Sequence, residues 1–314
     1  MFRIFSLMFK RFKKAFQLLA EAGMQFSDDN GFKFSASLSY YTIFALGPLL
    51  MIVISLAGIF FGHDAVEGRI YHQLKGILGS NAAMQVQDII TNLQRTQSTT
   101  LGAIIGVVIL VIGATGVFTE MQSSINYIWS VKAKPKKGWL KYLINRAISF
   151  SLVLGLGFLL LVSLLINTVF GLLSDKLVRY FPDYTVSFFN LINLAVIIIV
   201  ITGLFAVIFK VLPDAVISWR DAWIGSALTA TLFLIGKFLI GLYLGHAKLD
   251  ITYGTAASII IILSWVYYSA VILYYGAEFT KVYAIHMGEG IRPKQTAVFV
   301  VKQEALEIRS SRLG

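Results

Sequence analysis

Residues 185–209 read TVSFFNLINLAVIIIVITGLFAVIF, a run without a single Asp, Glu, Lys or Arg. As a helix rising about 1.5 Å per residue, such a run crosses the roughly 30 Å hydrocarbon core of a bilayer. It decides the fold class, because a backbone in lipid must satisfy its own hydrogen bonds and a helix does so within one segment. The run is too long and too continuous for an outer-membrane strand of about ten alternating residues.

Working outward, comparable stretches precede it at Ser37–Phe61, Ser98–Phe118 and Ile148–Phe170, and follow it at Trp223–Leu244 and Ala256–Ala277. The sequence therefore predicts an all-α fold, a polytopic membrane helical bundle of six transmembrane helices. Composition agrees. Of 314 residues 57% are hydrophobic and 14% charged, with a mean hydropathy of +0.76. A soluble domain carries roughly 25% charged residues and could not bury this much apolar surface. Cysteine is absent, which excludes disulfides, Fe–S clusters and thiolate metal sites. The four His are scattered, and no metal site, cofactor site or catalytic constellation is expected. Walker A and HExxH patterns are missing.

The net charge of +11 is informative through its placement. Lys and Arg concentrate in residues 1–37, in the 132–146 connection, in Lys210 and Arg220, and in the tail from Lys281 to Arg312; together these hold twenty of the 27. The positive-inside rule then predicts both N and C termini cytoplasmic. Residues 1–35 form a cytoplasmic, amphipathic and interfacial segment. Phe5, Phe9, Phe12, Phe16 and Leu19 recur at helical spacing opposite Lys10, Lys13 and Lys14, as in a helix lying on anionic lipid. Asp28, Asp29, Asn30 and Gly31 mark a turn. Residues 36–285 form the transmembrane domain, with an outer loop at 62–97, and residues 286–314 a cytoplasmic tail, helical in part. The partners expected are membrane lipids, including anionic inner-leaflet lipids, and a small solute. Nucleic acid is not expected, and an oligomer is compatible with the reading.

Several residues stand out against this apolar background. Lys237 lies inside the fifth stretch. An ionisable group there either contacts an anion, a lipid headgroup or a coupling ion, or snorkels to an interface. Gly236 beside it permits close approach of another helix. Glu278 and Glu120 sit near the inner interface, where they pair with basic residues such as Arg146 or Arg220 or serve a proton or cation path. Ser39, Tyr40 and Tyr41 on the first stretch and Tyr267 and Tyr268 on the sixth outline a polar seam between those two helices. Pro48 after Gly47 kinks the first stretch. Gly102-xxx-Gly106 and Gly241-xxx-Gly245 match a small-xxx-small packing pattern.

One segment resembles a known family. Ala36-Ser-Leu-Ser-Tyr-Tyr-Thr-Ile-Phe-Ala-Leu-Gly-Pro-Leu-Leu50 is similar to the signature of the YihY/BrkB (UPF0761) membrane proteins. Ile125-Asn-Tyr-Ile-Trp129, Val211-Leu-Pro-Asp214, Tyr253-Gly-Thr-Ala-Ala-Ser258 and Tyr274-Tyr-Gly-Ala-Glu-Phe279 agree with it. The resemblance covers about residues 20–285. It implies a six-helix bacterial inner-membrane protein of a group described as transporters or permeases. It maps the family's conserved positions onto Ser39, Tyr40, Pro48, Pro213, Gly254 and Glu278, with no catalytic role attached. Gly47 stands where many relatives have Ala. An older label, tRNA-processing ribonuclease, travels with the family, although nothing in this chain supplies hydrolytic chemistry. Two functions are therefore expected to compete: a transporter or permease for an anionic solute or lipid, and a structural, envelope-organising protein.

Overall fold

The computed structural model describes residues 2–45, 100–134, 182–246 and 257–301. Helix α1 is Phe2–Asp28 and a second helix, α2, covers 31–45. Asn30 separates them in the left-handed region at φ 60°, which Asn tolerates better than most residues. Then come α3 (Thr100–Ile128), β1 (Val131–Ala133), α4 (Pro182–Val211), β2 (Ala215–Val216), α5 (Trp219–His246), α6 (Ala257–Met287), β3 (Arg292–Pro293) and β4 (Ala297–Phe299).

The expectation of six membrane helices is corrected here. Among the described residues three helices are long and apolar enough to cross a membrane, at Leu194–Val211, Trp219–Ile240 and Ile259–Met287. Hydropathy had counted every apolar run as a span. The 98–118 run opens α3, whose last third turns polar at Glu120, Gln122, Ser124 and Asn126. The 148–170 run, most of 37–61, and the 62–97 loop lie outside the described residues, as do Gly47, Pro48 and Gly254. The polytopic membrane helical bundle itself stands.

Of the tail expected to be partly helical, the described part after Gly290 carries two short strands, and residues 302–314 lie outside the described residues. Strand β1 pairs antiparallel with β4, Val131 opposite Phe299, and β2 pairs antiparallel with β3, Ala215 opposite Pro293. These ribbons gather the ends of α3, α4 and α6 and the start of α5. Helix α1 joins them by docking on α6, where Leu18 and Ala22 bury against Phe279 and Val282 and the Tyr275 hydroxyl donates to the Leu19 carbonyl at 3.0 Å. The basic segments 13–33, 131–134, 210–220 and 281–294 thus share one end of the bundle.

Helices α5 and α6 are joined by a reciprocal pair of small-residue motifs. Gly225-xxx-Thr229 on α5 faces Gly276-xxx-Thr280 on α6 in antiparallel order. A Cβ at Gly225 would lie 1.9 Å from Thr280 Oγ1, and one at Gly276 would lie 2.0 Å from Thr229 Oγ1. Each threonine hydroxyl donates within its own helix, Thr229 to Gly225 O at 2.8 Å and Thr280 to Gly276 O at 2.6 Å. Neither threonine hydroxyl is left bare where the backbones meet. Farther along, Gly236 is buried against the Tyr268 ring. Above this seam the core continues through Phe205, Phe209 and Phe233.

Overpacking this seam has a readable cost. Gly276→Ala is expected to lower stability by roughly 1–3 kcal/mol, and Thr229→Ala in the same chain to recover most of that loss by emptying the space. Thermal denaturation in mild detergent, followed by near-ultraviolet circular dichroism, checks both; equal melting of wild type and Gly276→Ala would show that the helices separate freely at this point.

Candidate functional site

At the basic end the bundle buries a layer of polar and charged side chains. Helix α4 stops at Val211 because Pro213 cannot extend it, and the turn that follows places Asp214 inside, 2% exposed. Gln122 and Asn126, one turn apart on α3, both face it. Asn126 Nδ2 donates to Asp214 Oδ2 at 3.0 Å, and the Asp214 N–H donates to Asn126 Oδ1 at 2.8 Å. Gln122 Nε2 donates to the Leu212 carbonyl at 2.9 Å. The Lys294 N–H closes the group on the Asp214 carbonyl at 2.9 Å.

Asp221, 1% exposed, plays a parallel role. Ser218 caps the start of α5 by accepting the Asp221 N–H at 3.1 Å. The Asp221 carboxylate accepts the Glu289 N–H at 3.1 Å and nearly touches Gly288, where any Cβ would collide with it. The chain leaving α6 is thereby fastened to the first turn of α5.

The third group is ionic. Glu278 on α6 has no exposed surface and forms an ion pair with Lys281, one turn on. The Lys281 ammonium also donates to the Ile128 carbonyl at 2.9 Å and meets Asp29 Oδ2 at 3.3 Å. One cation thus joins α6, the end of α3 and the α1–α2 junction. Tyr274, one turn before Glu278, is fully buried with its hydroxyl beside Ser124 and within electrostatic reach of Glu120. Trp129 wedges into the same layer, its indole N–H donating to the Ala277 carbonyl at 3.0 Å.

The structure separates the residues singled out in the sequence. Glu278 and Glu120 both border this layer. Glu278 pairs with Lys281, a basic juxtamembrane residue three positions along its own helix, and Arg146 lies outside the described residues. Lys237 is exposed on α5, away from α6. The polar seam is not assembled by its expected members. The Ser39 hydroxyl turns back to the Ala36 carbonyl at 2.9 Å. Tyr40 and Tyr41 are exposed and cluster edge-on with Phe44. Tyr267 and Tyr268 are half-buried, and Tyr268 goes to Gly236 on α5. Pro213 is buried beside Asp214. Lys281, Asp29, Asp214, Gln122 and Asn126 were missed. The available signals were the i, i+3 spacing of Glu278 and Lys281 and the i, i+4 spacing of Gln122 and Asn126. Among the described residues no group of three His, Cys, Asp or Glu is placed to hold a metal ion.

Comparison with known proteins follows the same segments. Residues 22–299 match a family model described as Virulence factor BrkB. A UPF0761 membrane protein of Azotobacter vinelandii is 27% identical over 261 residues, covering 81% of this chain and 60% of that protein. One from Delftia acidovorans is 28% identical over 256 residues, 81% of this chain and 58% of the relative. One from Psychromonas ingrahamii is 26% identical over 277 residues, covering 85% and 88%. The chain spans about three fifths of the length of the Azotobacter and Delftia relatives. These descriptions name a membrane protein and no enzyme. No solved structure matches the chain.

The Asp214 group is open to direct test. Asn126→Leu removes both hydrogen bonds between Asn126 and Asp214 and leaves a buried carboxylate short of a donor. The expected loss is about 3 kcal/mol, above that of a neutral hydrogen bond, read as a lowered melting temperature in detergent. Unchanged melting would mean that Asp214 finds replacement donors from solvent.

Proposed function

The chain belongs to the virulence factor BrkB family of multi-pass inner-membrane proteins, and from that premise we propose that it is a transporter or permease for an anionic solute or lipid. The observation that carries the reading is Glu278. It is a carboxylate without exposed surface on a helix apolar enough to cross the membrane. Burying a charge there is costly, and ionisable groups inside membrane helices mark ion pathways and proton relays. A purely structural ion pair offers little net stability, because desolvation offsets most of the Coulomb gain.

Lys281 gives the cluster a way to act. It is held by carboxylates on both sides, Glu278 and Asp29, and by one backbone carbonyl. Proton uptake by Glu278 would weaken one arm and leave the ammonium to Asp29. That change in charge acts on three segments together, which is what coupling ion movement to a conformational step requires. Lys237, exposed on α5, fits a lipid-facing lysine whose ammonium snorkels toward an interface.

A second reading, an envelope-organising protein, is favoured by one observation. Phe16, Met24 and Phe32 stand 64%, 62% and 54% exposed near the α1–α2 junction, a surface that another protein could cover.

Reconstitution into liposomes separates the two. With ion gradients and a panel of organic and inorganic anions, wild type is expected to carry flux above empty vesicles. Glu278→Gln is expected to cut that flux, measured per folded protein, about tenfold or more, equivalent to about 1.4 kcal/mol on the barrier. Lys237→Ala is expected to leave flux unchanged. A monodisperse wild type that moves no solute and no labelled lipid would overturn the transport reading in favour of the second.

A further inference from the structure

The corner where α4 hands over to α5 gathers cations from three elements. Lys210 closes the last turn of α4. Its ammonium donates to the Ile217 carbonyl and lies 5.5 Å from the centre of the Trp219 ring. Lys294 sits alongside, its ammonium donating to the Val211 carbonyl at 3.2 Å. Arg292 is the cross-strand partner of Val216 and is exposed. Arg220, directly after Trp219, is exposed as well. Two lysines are thus steadied by backbone carbonyls, and two exposed arginines, Arg220 and Arg292, belong to the same corner segments.

Among the described residues, the acidic groups near this corner are turned inward or lie to one side of it. Asp214 and Asp221 are buried at 2% and 1% exposure and hold the backbone contacts described above. Glu289 is the exposed carboxylate nearest in the chain, next to Gly288 on the Asp221 side of the corner.

Depth identifies the occupant. The apolar window of α4 ends at Val211 and that of α5 begins at Trp219, so the four cations stand at the edge of the hydrocarbon. Trp219 and Trp223 are 52% and 44% exposed on the same corner, and Trp223 lies against Gly203 of α4. Exposed indoles at this level belong to the membrane interface. Arginine there matches the geometry of a phosphate diester, and clustered cations favour anionic over zwitterionic lipid. A soluble anion would not need the two indoles.

We propose that this corner binds the headgroup of an anionic phospholipid, with Arg220 and Arg292 on the phosphate, Lys210 and Lys294 flanking it, and Trp219 and Trp223 against the upper acyl chains. The site does not depend on transport, and its assay reads lipid contact and not flux.

The full chain is placed in nanodiscs of phosphatidylcholine with a minority of phosphatidylglycerol, and bromine is carried on the acyl chains of one lipid or the other. Tryptophan quenching is read as the difference from a Trp219→Phe, Trp223→Phe chain. Brominated phosphatidylglycerol is expected to quench this pair more strongly per mole than brominated phosphatidylcholine. Arg220→Gln and Arg292→Gln are each expected to lower that preference by about fivefold, the scale of one cation near an anionic surface. Both arginines are exposed, so the single variants keep the fold and are read before the double. Equal quenching by the two lipids overturns the proposal, and so does a preference that survives both substitutions. Loss of the preference on adding soluble pyrophosphate at constant ionic strength assigns the corner to a free anion and also overturns it.

Discussion

A buried charge must be answered by a partner, and the basic end of this bundle is organised around that requirement. Asp214, Asp221 and Glu278 are each almost without exposed surface. Each is met from a different part of the chain: Asn126 on α3, the backbone beyond α6, and Lys281 with its second contact at Asp29. The three groups fix the ends of α3, α4, α5 and α6 relative to one another. Side chains in lipid gain little from hydrophobic burial against other helices, so polar contacts and close packing must supply specificity. The short ribbons then follow. Once Asp221 has turned the chain at Gly288, and Gly290 at φ 76° has redirected it, residues 292–299 lie across β2 and β1.

Helix α6 does two tasks with two faces. Gly276 and Thr280 meet α5, and successive helical residues turn by about 100°. Glu278, two positions from Gly276, therefore points to nearly the opposite side. Tyr274 and Lys281 fall close to the same direction, toward α3 and the α1–α2 junction. Tight packing on one face thus holds the ionisable groups on the other at fixed depth. Gly276→Ala would disturb the Glu278 cluster as well as the seam, through displacement of the whole helix.

The sequence made the helices legible but not all of their limits or contacts. The runs over α4, α5 and α6 announced themselves by apolar length. The end of α6 did not, because the helix continues ten residues past Ala277 to Met287, through the charged positions Glu278 and Lys281 that break the apolar run. Of the six runs counted, three are long apolar helices among the described residues. Strands of two or three residues, paired with segments far away in the chain, leave no local period to detect. Lys237 looked interior because a linear scan gives depth and no direction. With Gly236 against α6, the next residue is turned about 100° outward. The packing glycines were sought as Gly-xxx-Gly, whereas the seam uses Gly225-xxx-Thr229 and Gly276-xxx-Thr280, which satisfy the same steric need once each hydroxyl is bonded within its own helix.

The placement of Asp29 gives the ion cluster a reach beyond α6. It lies directly before Asn30, whose left-handed backbone sets the angle between α1 and α2, and its carboxylate shares Lys281 with Glu278. Two carboxylates competing for one ammonium form a balance that either proton uptake or displacement can tip. Helix α1 is docked through Leu18 and Ala22 on the turns of α6 that carry Phe279 and Val282, so it cannot ignore a shift at Lys281. The left-handed turn at Asn30, the docked face of α1 and the buried carboxylate of α6 are therefore tied together through one ammonium.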